Sequence, residues 1–453
     1  MKCDVLILGA GPGGYVCAIR CAQAGLDTIV VDEAKAGGTC LNVGCIPSKA
    51  LIHAADEMHK ISHMAHSPAD SPLGISVGKP QLDYAKTIGW KDSIVTKLTD
   101  GVEGLLKRAG AKYVQGSARF MDGKRVRLDD GSDTGVEIRA DRIVVATGSA
   151  PVELPGLPFG GDVLSSTDAL ALTTVPKTMA VVGAGYIGLE LGTAFAKLGS
   201  KVTIVEASDR IMPLYDAALT RPVAKRLDHL GVTVMTGTKA QDYTDGALQT
   251  DQGAVTADKV LVTVGRRPRT RGIGIDELAL TLDGAYIKID EHGQTSMRGI
   301  YAIGDVTGEP MLAHRAMAQG EMVARHISDQ STAWDKRAIP AVCFTDPEIV
   351  SVGNLPGAEG TKAAEFPFAA NGRAMTVERD DGFIRVVFRE GDHAITGIQA
   401  VGAGVSELSA AFALAVEMGA RLEDIAETVH AHPTQSEGFQ EAALKALGAG
   451  LHF

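Results

Sequence analysis

Cys40 and Cys45 stand five positions apart in the stretch Gly37-Gly38-Thr39-Cys40-Leu41-Asn42-Val43-Gly44-Cys45-Ile46-Pro47-Ser48-Lys49. A metal site at this spacing would need further Cys or His ligands nearby, and the stretch supplies none; no metal is expected. With six cysteines in 453 residues and no export signal, a reducing compartment is expected, which disfavours a structural disulfide. A redox dithiol is the best reading, and two inert buried cysteines are the plain alternative. On a regular helix residues five apart lie about 8 Å apart, beyond disulfide reach. The backbone must therefore be irregular here, and Gly44 and Pro47 would allow it.

A second pair lies near the C-terminus. His432 and Glu437 are five apart, with Pro433 between them. A thiol is a poor nucleophile until it loses its proton, its reference pKa being about 8.5. An imidazole is the natural base near neutral pH. A carboxylate on the other ring nitrogen orients that imidazole and stabilises its charge. Alone, His432 would read as an exposed loop histidine.

Two glycine fingerprints make a third group. Gly9-Ala10-Gly11-Pro12-Gly13-Gly14 and Gly183-Ala184-Gly185-Tyr186-Ile187-Gly188 both read G-x-G-x-x-G. The first glycine permits a tight turn, the second lets backbone approach a pyrophosphate, and the third allows close helix–strand packing. Each fingerprint follows a strand pattern and opens a helix, and each has an acid 21 residues past its second glycine: Asp32 and Glu206. Such an acid bonds an adenosine ribose. Glu206 favours NAD, since a carboxylate repels a 2′-phosphate. Arg210 nearby keeps NADP open.

These groups sit among short β-branched runs ending in glycine or an acid: Val5–Leu8, Thr28–Val31, Ile143–Val145, Met179–Val182, Val202–Val205, Val260–Val264 and Ile300–Ile303. Continuous apolar runs of this length suit strands buried on both faces. Helical patterns such as Tyr15–Ala24 and Ile187–Leu198 lie between them, which implies an α/β class. Ser67–Pro80 and Ser149–Gly161 read as loops. After about residue 336, Phe383–Phe388 and Ile395–Val401 read as antiparallel strands, and Leu408–Met418 and Glu423–Thr428 as helices. The expected architecture is two Rossmann-like dinucleotide-binding domains plus a C-terminal α+β domain. A net charge of -11 argues against nucleic acid and an anionic membrane as partners. No apolar run is long enough to span a bilayer. A cytoplasmic location is expected, or the mitochondrial matrix if a transit peptide has been removed.

The chain resembles the FAD-dependent pyridine nucleotide–disulfide oxidoreductases. The resemblance runs through the first fingerprint, Cys40–Cys45, Ala146-Thr147-Gly148, the second fingerprint, Gly265-Arg266, Ala302-Ile303-Gly304-Asp305 and His430-Ala431-His432-Pro433-Thr434. The Leu41–Lys49 wording is that of the branch that oxidises protein-bound dihydrolipoamide to lipoamide with NAD. The resemblance implies that Gly9, Gly11, Gly14, Asp32, Lys49, Gly116, Thr147, Gly148 and Asp305 serve FAD, with Glu190 paired to Lys49. It gives Gly183, Gly185, Gly188, Glu206 and Gly265 to NAD. Cys40 and Cys45 would be the redox disulfide, and His432 with Glu437 the acid/base pair, supplied by the partner subunit of a homodimer. His432–Pro433 would be a cis bond. The implied partners are lipoyl domains of 2-oxo acid dehydrogenase complexes or a related lipoyl carrier. The implied division is 1–148 for FAD, 149–268 for NAD, 269–336 completing the FAD domain and 337–453 for dimerisation.

Asp32 and Gln319 depart from the family, which often has Glu at both positions. Glutathione reductases would favour NADP and arginines near the second acid. Mercuric reductases usually add a vicinal cysteine pair at the C-terminus, whereas this chain ends Gly450-Leu451-His452-Phe453. A redox-inactive flavoprotein acting as a binding subunit is the competitor from another class. The remaining motifs read plainly: His53, His59, His63 and His66 as a solvated helix face, Cys17 and Cys21 as packing residues, Cys3 and Cys343 as inert.

Overall fold

The computed structural model of the protein describes residues 1–66, 73–129 and 135–452. Its first sheet runs Lys112–Gln115, Thr28–Asp32, Lys2–Leu8, Val136–Val145, with Lys2–Leu8 parallel to both neighbours. The long strand Val136–Val145 serves two partners along its other edge. Its first half pairs antiparallel with Arg125–Asp129, and its last three residues pair parallel with Ile300–Ala302. A strand that arrives some 150 residues later thus completes the sheet begun by the N-terminus.

The glycine turn explains where the first helix begins. Gly9 has φ +105°, and a Cβ there would lie 2.2 Å from the Ala146 carbonyl oxygen; one at Gly14 would lie 1.8 Å from the Gly9 oxygen. Only glycines let strand, turn and helix close up at this point. The helix then starts at Pro12, directly after the Gly11 N-cap, and runs to Gln23. It begins three residues before the Tyr15 expected from hydrophobic period, because proline with its fixed φ is suited to the first helical turn. Its Gly13 face packs on the helix Ala313–Ile327, where a Cβ on Gly320 would lie 2.4 Å from the Gly13 oxygen.

The second sheet repeats the plan. It runs Thr233–Met235, Lys201–Val205, Thr178–Val182, Lys259–Val262, Val163–Leu164, all parallel. Gly183 (φ +98°) and Gly188 reproduce the contacts of Gly9 and Gly14: Cβ atoms there would meet the Thr263 oxygen at 2.7 Å and the Gly183 oxygen at 2.1 Å. The strand Lys259–Val262 ends short of the expected Val264; just past it the Thr263 hydroxyl donates to the Val182 and Gly183 carbonyls.

The third sheet is antiparallel throughout: Ala341–Cys343, Glu348–Gly353, Ile395–Gly402, Phe383–Arg389, Thr361–Pro367. The helices Ser409–Met418, Leu422–Glu427 and Glu437–Ala446 accompany it, with Phe368, Phe412 and Phe439 in the shared core. The α/β class and the separate C-terminal α+β unit match the expectation. The loop expected over Ser67–Pro80 falls partly outside the described residues; 73–80 carry no regular structure. Among the described residues, no helix is long and apolar enough to cross a membrane.

An ionic hub ties the units together. The Asp346 carboxylate bonds Lys197 at 2.6 Å, Arg226 at 3.0 Å and Arg379 at 2.6 Å, and Lys197 also meets Asp56 at 2.5 Å. Burial alone would raise the Asp346 pKa, but the cations around it hold it well below the usual carboxylate range. A depressed folded-state pKa stabilises above the unfolded value near 3.9 and loses that contribution as pH falls through the folded value. Asp346→Asn, which leaves buried cations underpaired, is expected to cost about 3–5 kcal/mol at neutral pH. Apparent unfolding temperatures should show the gap at pH 7 and its narrowing below about pH 4; an unchanged gap at acid pH would contradict the assignment.

Candidate active site

The two cysteines occupy a break between helices. Gly38–Val43 forms one short helix and Cys45–His66 the next, with Gly44 between them at φ -137°, ψ -107°. The irregularity demanded by the spacing is therefore at Gly44, whose hypothetical Cβ would strike the Thr39 carbonyl oxygen at 2.8 Å. Pro47 sits inside the first turn of the second helix, where a missing N–H costs nothing. Asn42 pins the break by donating to the Gly38 oxygen at 3.0 Å and the Lys35 oxygen at 3.1 Å.

Cys40 and Cys45 share a side-chain hydrogen bond and have opposed acidities. That bond, with burial, pushes the Cys40 thiol well up. In Cys45 the bond from Cys40 lowers the pKa to about 7; the crowded walls of the cleft oppose this and the Lys49 ammonium assists it. The pair thus has a thiolate end at Cys45 and a thiol end at Cys40.

Lys49, one turn beyond Cys45, bonds the buried Glu190 at 2.7 Å. Glu190 comes from the helix Tyr186–Lys197, so the ion pair spans the two Rossmann-like units. Asp305 lies in the turn Gly304–Thr307 and accepts the Ser149 hydroxyl at 2.5 Å; Arg266 in turn donates to Ser149. Gln319 is buried and accepts the Gly304 N–H at 2.7 Å. The Thr307 hydroxyl already donates to the Gly304 carbonyl, so its oxygen can only accept from position 319. An amide meets that need and a carboxylate does not, which gives the Gln319 departure a local reason.

Cys40, Cys45, Lys49, Glu190, Asp305, Gly11 and Thr147 line one cleft of about 300 Å³. It meets a second hollow at Asp32, Glu33, Thr147 and Arg269, where Gly9 and Gly116 also lie. The result is a groove running from the first glycine turn to the cysteines. The helix Pro12–Gln23 has neither a side-chain cap nor an acid in its first turn, so its free N–H groups suit a phosphate. Asp32 stands beside that turn, its two oxygens accepting Ala10 N–H at 2.6 Å and Ala34 N–H at 2.9 Å. A carboxylate can accept further bonds on the same oxygens. The groove and its donors fit a flavin dinucleotide.

The second unit is built alike. The helix after Gly185 also lacks a side-chain cap, and Glu206 accepts Ala184 N–H at 2.7 Å and Ser208 N–H at 2.7 Å. Gly265, at φ +131°, accepts the Val152 N–H beside the crossing strands 149–151 and 266–268. Arg210 donates to the Pro213 oxygen within its own loop.

His432 Nδ1 lies 2.8 Å from Glu437 Oε1, and the other Glu437 oxygen accepts the Thr434 N–H at 2.8 Å. Burial opposes ionisation of Glu437, but the Thr434 N–H and His432 outweigh it and hold its pKa down. The His432–Pro433 bond is cis. The dyad is not among the residues lining the cysteine cleft, and the His432 side chain is 81% exposed.

Two neighbours of the site escaped the sequence. Tyr186, first residue of its helix, lines the cleft beside Glu190; its place inside the second fingerprint was the available signal. Phe344 lies with its ring centroid 4.5 Å from Lys49 Nζ, and nothing in its surrounding sequence marks it. Cys3, Cys17, Cys21 and Cys343 are buried, as packing residues should be. His53 and His63 are exposed, whereas His59 is half-buried and its pKa is lowered by burial to about 4. The His66 side chain lies outside the described residues. No group of three or more metal-ligating side chains occurs among the described residues.

The pyridine nucleotide-disulphide oxidoreductase family matches residues 3–320, and the dimerisation domain of that family matches 339–443. The chain is 53% identical to dihydrolipoyl dehydrogenase of Pseudomonas aeruginosa, covering 100% of this chain and 99% of the relative. It is 43% identical to that of Geobacillus stearothermophilus, over 100% and 98%. Among solved structures it is similar to LpdA of Mycobacterium tuberculosis, with TM-score 0.89, 27% identity, and 98% and 99% coverage.

Proposed function

The chain belongs to the pyridine nucleotide-disulphide oxidoreductase family, and from that premise we propose that it oxidises protein-bound dihydrolipoamide to lipoamide with NAD. The observation that carries this reading is the Cys40–Cys45 pair at the end of the glycine-turn groove, its thiolate end beside Lys49. FAD is held by Gly9, Gly11, Gly14, Asp32, Gly116, Thr147, Gly148 and Asp305, and NAD by Gly183, Gly185, Gly188, Glu206 and Gly265. The units divide as 1–148, 149–268, 269–336 and 337–453, the third returning to the FAD domain.

The acidities of the pair order the chemistry. Thiol–disulfide exchange is faster when the leaving sulfur has the lower pKa. With the pair oxidised, a substrate thiolate attacks the Cys40 sulfur, the Cys40–Cys45 bond breaks, and Cys45 leaves as thiolate. His432 takes the proton of the attacking thiol, and Glu437 stabilises the imidazolium. The second substrate thiol, deprotonated in its turn, attacks its own partner sulfur in the mixed disulfide. Lipoamide forms, and Cys40 departs and is protonated. Bound FAD supplies the two-electron relay from the dithiol to NAD. The Lys49 ammonium stabilises negative charge at Cys45, and Glu190 holds that ammonium in place, its own carboxylate opposing the thiolate.

The dyad's exposure supports a homodimer in which each subunit's His432 serves the other's cysteines. Val429, three residues before His432, is 93% exposed, and Leu414 and Met418 stand exposed on one helix face, as a surface awaiting a second copy would have them. A lipoyl domain is the protein-borne substrate, and the cytoplasm is the proposed location.

Steady-state turnover of dihydrolipoamide tests the reading, with glutathione disulfide and mercuric ion as competing substrates under NADPH. Turnover only of the latter two would overturn it. Preference for NAD over NADP is expected to be on the order of 100-fold, because a 2′-phosphate would face Glu206. Glu206→Ala should narrow that ratio about tenfold or more, chiefly through a weaker KM for NAD. An unchanged ratio would remove Glu206 from the nucleotide site.

A further inference from the structure

A short run of the C-terminal unit grips both other units. The Cys343 thiol donates to the Tyr215 hydroxyl at 3.0 Å. The Phe344 N–H donates to Glu190 Oε1 at 2.9 Å, and its ring lies against Lys49 Nζ at 4.5 Å. Asp346 bonds Lys197 and Arg226. Glu190 is thereby filled on both oxygens: Lys49 takes Oε2, and the Phe344 backbone takes Oε1. Lys49 has a carboxylate on one side and an aromatic face on another. A lysine ammonium on a flexible four-carbon stem has no fixed direction of its own. Here its heading is set by one residue from each of the other two units.

We infer that Phe344 is a positioning residue for the redox site, holding the Lys49–Glu190 ion pair so that the ammonium stays at the Cys45 end of the cleft. It touches no reacting atom in this arrangement. Its backbone orients Glu190, and its ring confines Lys49 through a cation–π contact. The inference rests on the reading of Cys45 and Lys49 given above. Docking of the C-terminal unit is then part of what tunes the cysteine pair, in addition to presenting His432.

The test reads Cys45 directly and needs no lipoamide. In the FAD-loaded dimer carrying Cys40→Ser, the groups of its own chain left facing Cys45 are Lys49 and Glu190, with Tyr186 on the neighbouring helix. On the reading above the partner subunit's His432 also faces it, unchanged in every variant compared. The rate of Cys45 alkylation by iodoacetamide, followed against pH by mass spectrometry, gives the midpoint of its ionisation. Phe344→Leu keeps the backbone bond and removes the π face. The midpoint is expected to rise by about 0.5 to 1 in pH, a 3- to 10-fold loss of thiolate near neutrality. In the Cys40 protein, kcat should fall by a similar factor with KM for dihydrolipoamide unchanged. Phe344→Tyr, which keeps the ring, should restore both. An unmoved midpoint in Phe344→Leu, or a tyrosine variant as impaired as the leucine one, would overturn the inference. If the leucine variant does not load FAD, Phe344→Met is read the same way. Absent lipoamide turnover with a shifted midpoint would condemn the proposed substrate and leave the positioning role standing.

Discussion

A Cys45→Ser protein is expected to lose dihydrolipoamide oxidation by about 10⁴-fold or more while still binding FAD. The reason is chemical before it is structural. Cys45 is the sulfur of low pKa, set by the hydrogen bond from Cys40 and by Lys49 against the crowding of the cleft. It is therefore the leaving group when Cys40 is attacked. Serine cannot form the disulfide, and as an alkoxide it could not leave. The exchange of sulfur for oxygen is nearly isosteric, so the break at Gly44 and the Asn42 bonds around it persist. The groove from Asp32 to Asp305 does not depend on the thiol for its shape. Flavin absorbance after gel filtration gives occupancy, stopped-flow bleaching by NADH gives the nicotinamide half of the reaction, and lipoamide turnover gives the sulfur half. Retention of the first two with loss of the third is the expected pattern. Full turnover would remove Cys45 from the mechanism.

The second large effect concerns His432. His432→Gln should lower dihydrolipoamide oxidation about 10²- to 10⁴-fold, the range of a lost general base. A single variant cannot say whose cysteines the imidazole serves. A mixed dimer can. If His432 acts on the partner's cysteines, a dimer of one Cys45→Ser chain and one His432→Gln chain carries one site with both defects and one with none. Random reassortment of the two inactive proteins should then recover about a quarter of wild-type activity, because half the dimers are hybrid and each has one of two sites intact. If the dyad served its own chain, every site in the mixture would carry a defect and no activity would return. The 81% exposure of His432 and its absence from the cleft predict recovery.

How far the sequence led is seen in particular residues. The fingerprints were legible because a glycine demanded by a 1.8 Å approach has no substitute, and its spacing repeats in Gly183–Gly188. The break between Cys40 and Cys45 followed from helix geometry, with Gly44 and Pro47 as the residues that would allow it; the backbone at Gly44, with Pro47 inside the next helix, decided between them. Helix starts were misjudged by up to three residues because hydrophobic period reports the buried face and not the cap, and Gly11 and Gly185 cap without a side chain. Glu206 was legible as an acid at a strand end; that both its oxygens already hold backbone N–H groups was not. Phe344 and Asp346 were silent for a different reason. Their meaning lies in Lys49, Glu190 and Lys197, each far away in the chain, and no local pattern records a meeting of three units.

The late arrival of Ile300–Ala302 beside Val136–Val145, and of the glycine-lined helix behind Pro12–Gln23, bears on how the chain emerges from a ribosome. The N-terminal strand is made first, yet its sheet lacks a neighbour, and its first helix lacks a covering, until some 300 residues have been synthesised. The middle Rossmann-like unit, by contrast, draws its whole parallel sheet from 163–262 and has all its parts once that stretch is out. Birth order and completion order are thus reversed, and the nucleotide cradle at the head of the polypeptide waits, half built, for the tail of its own domain.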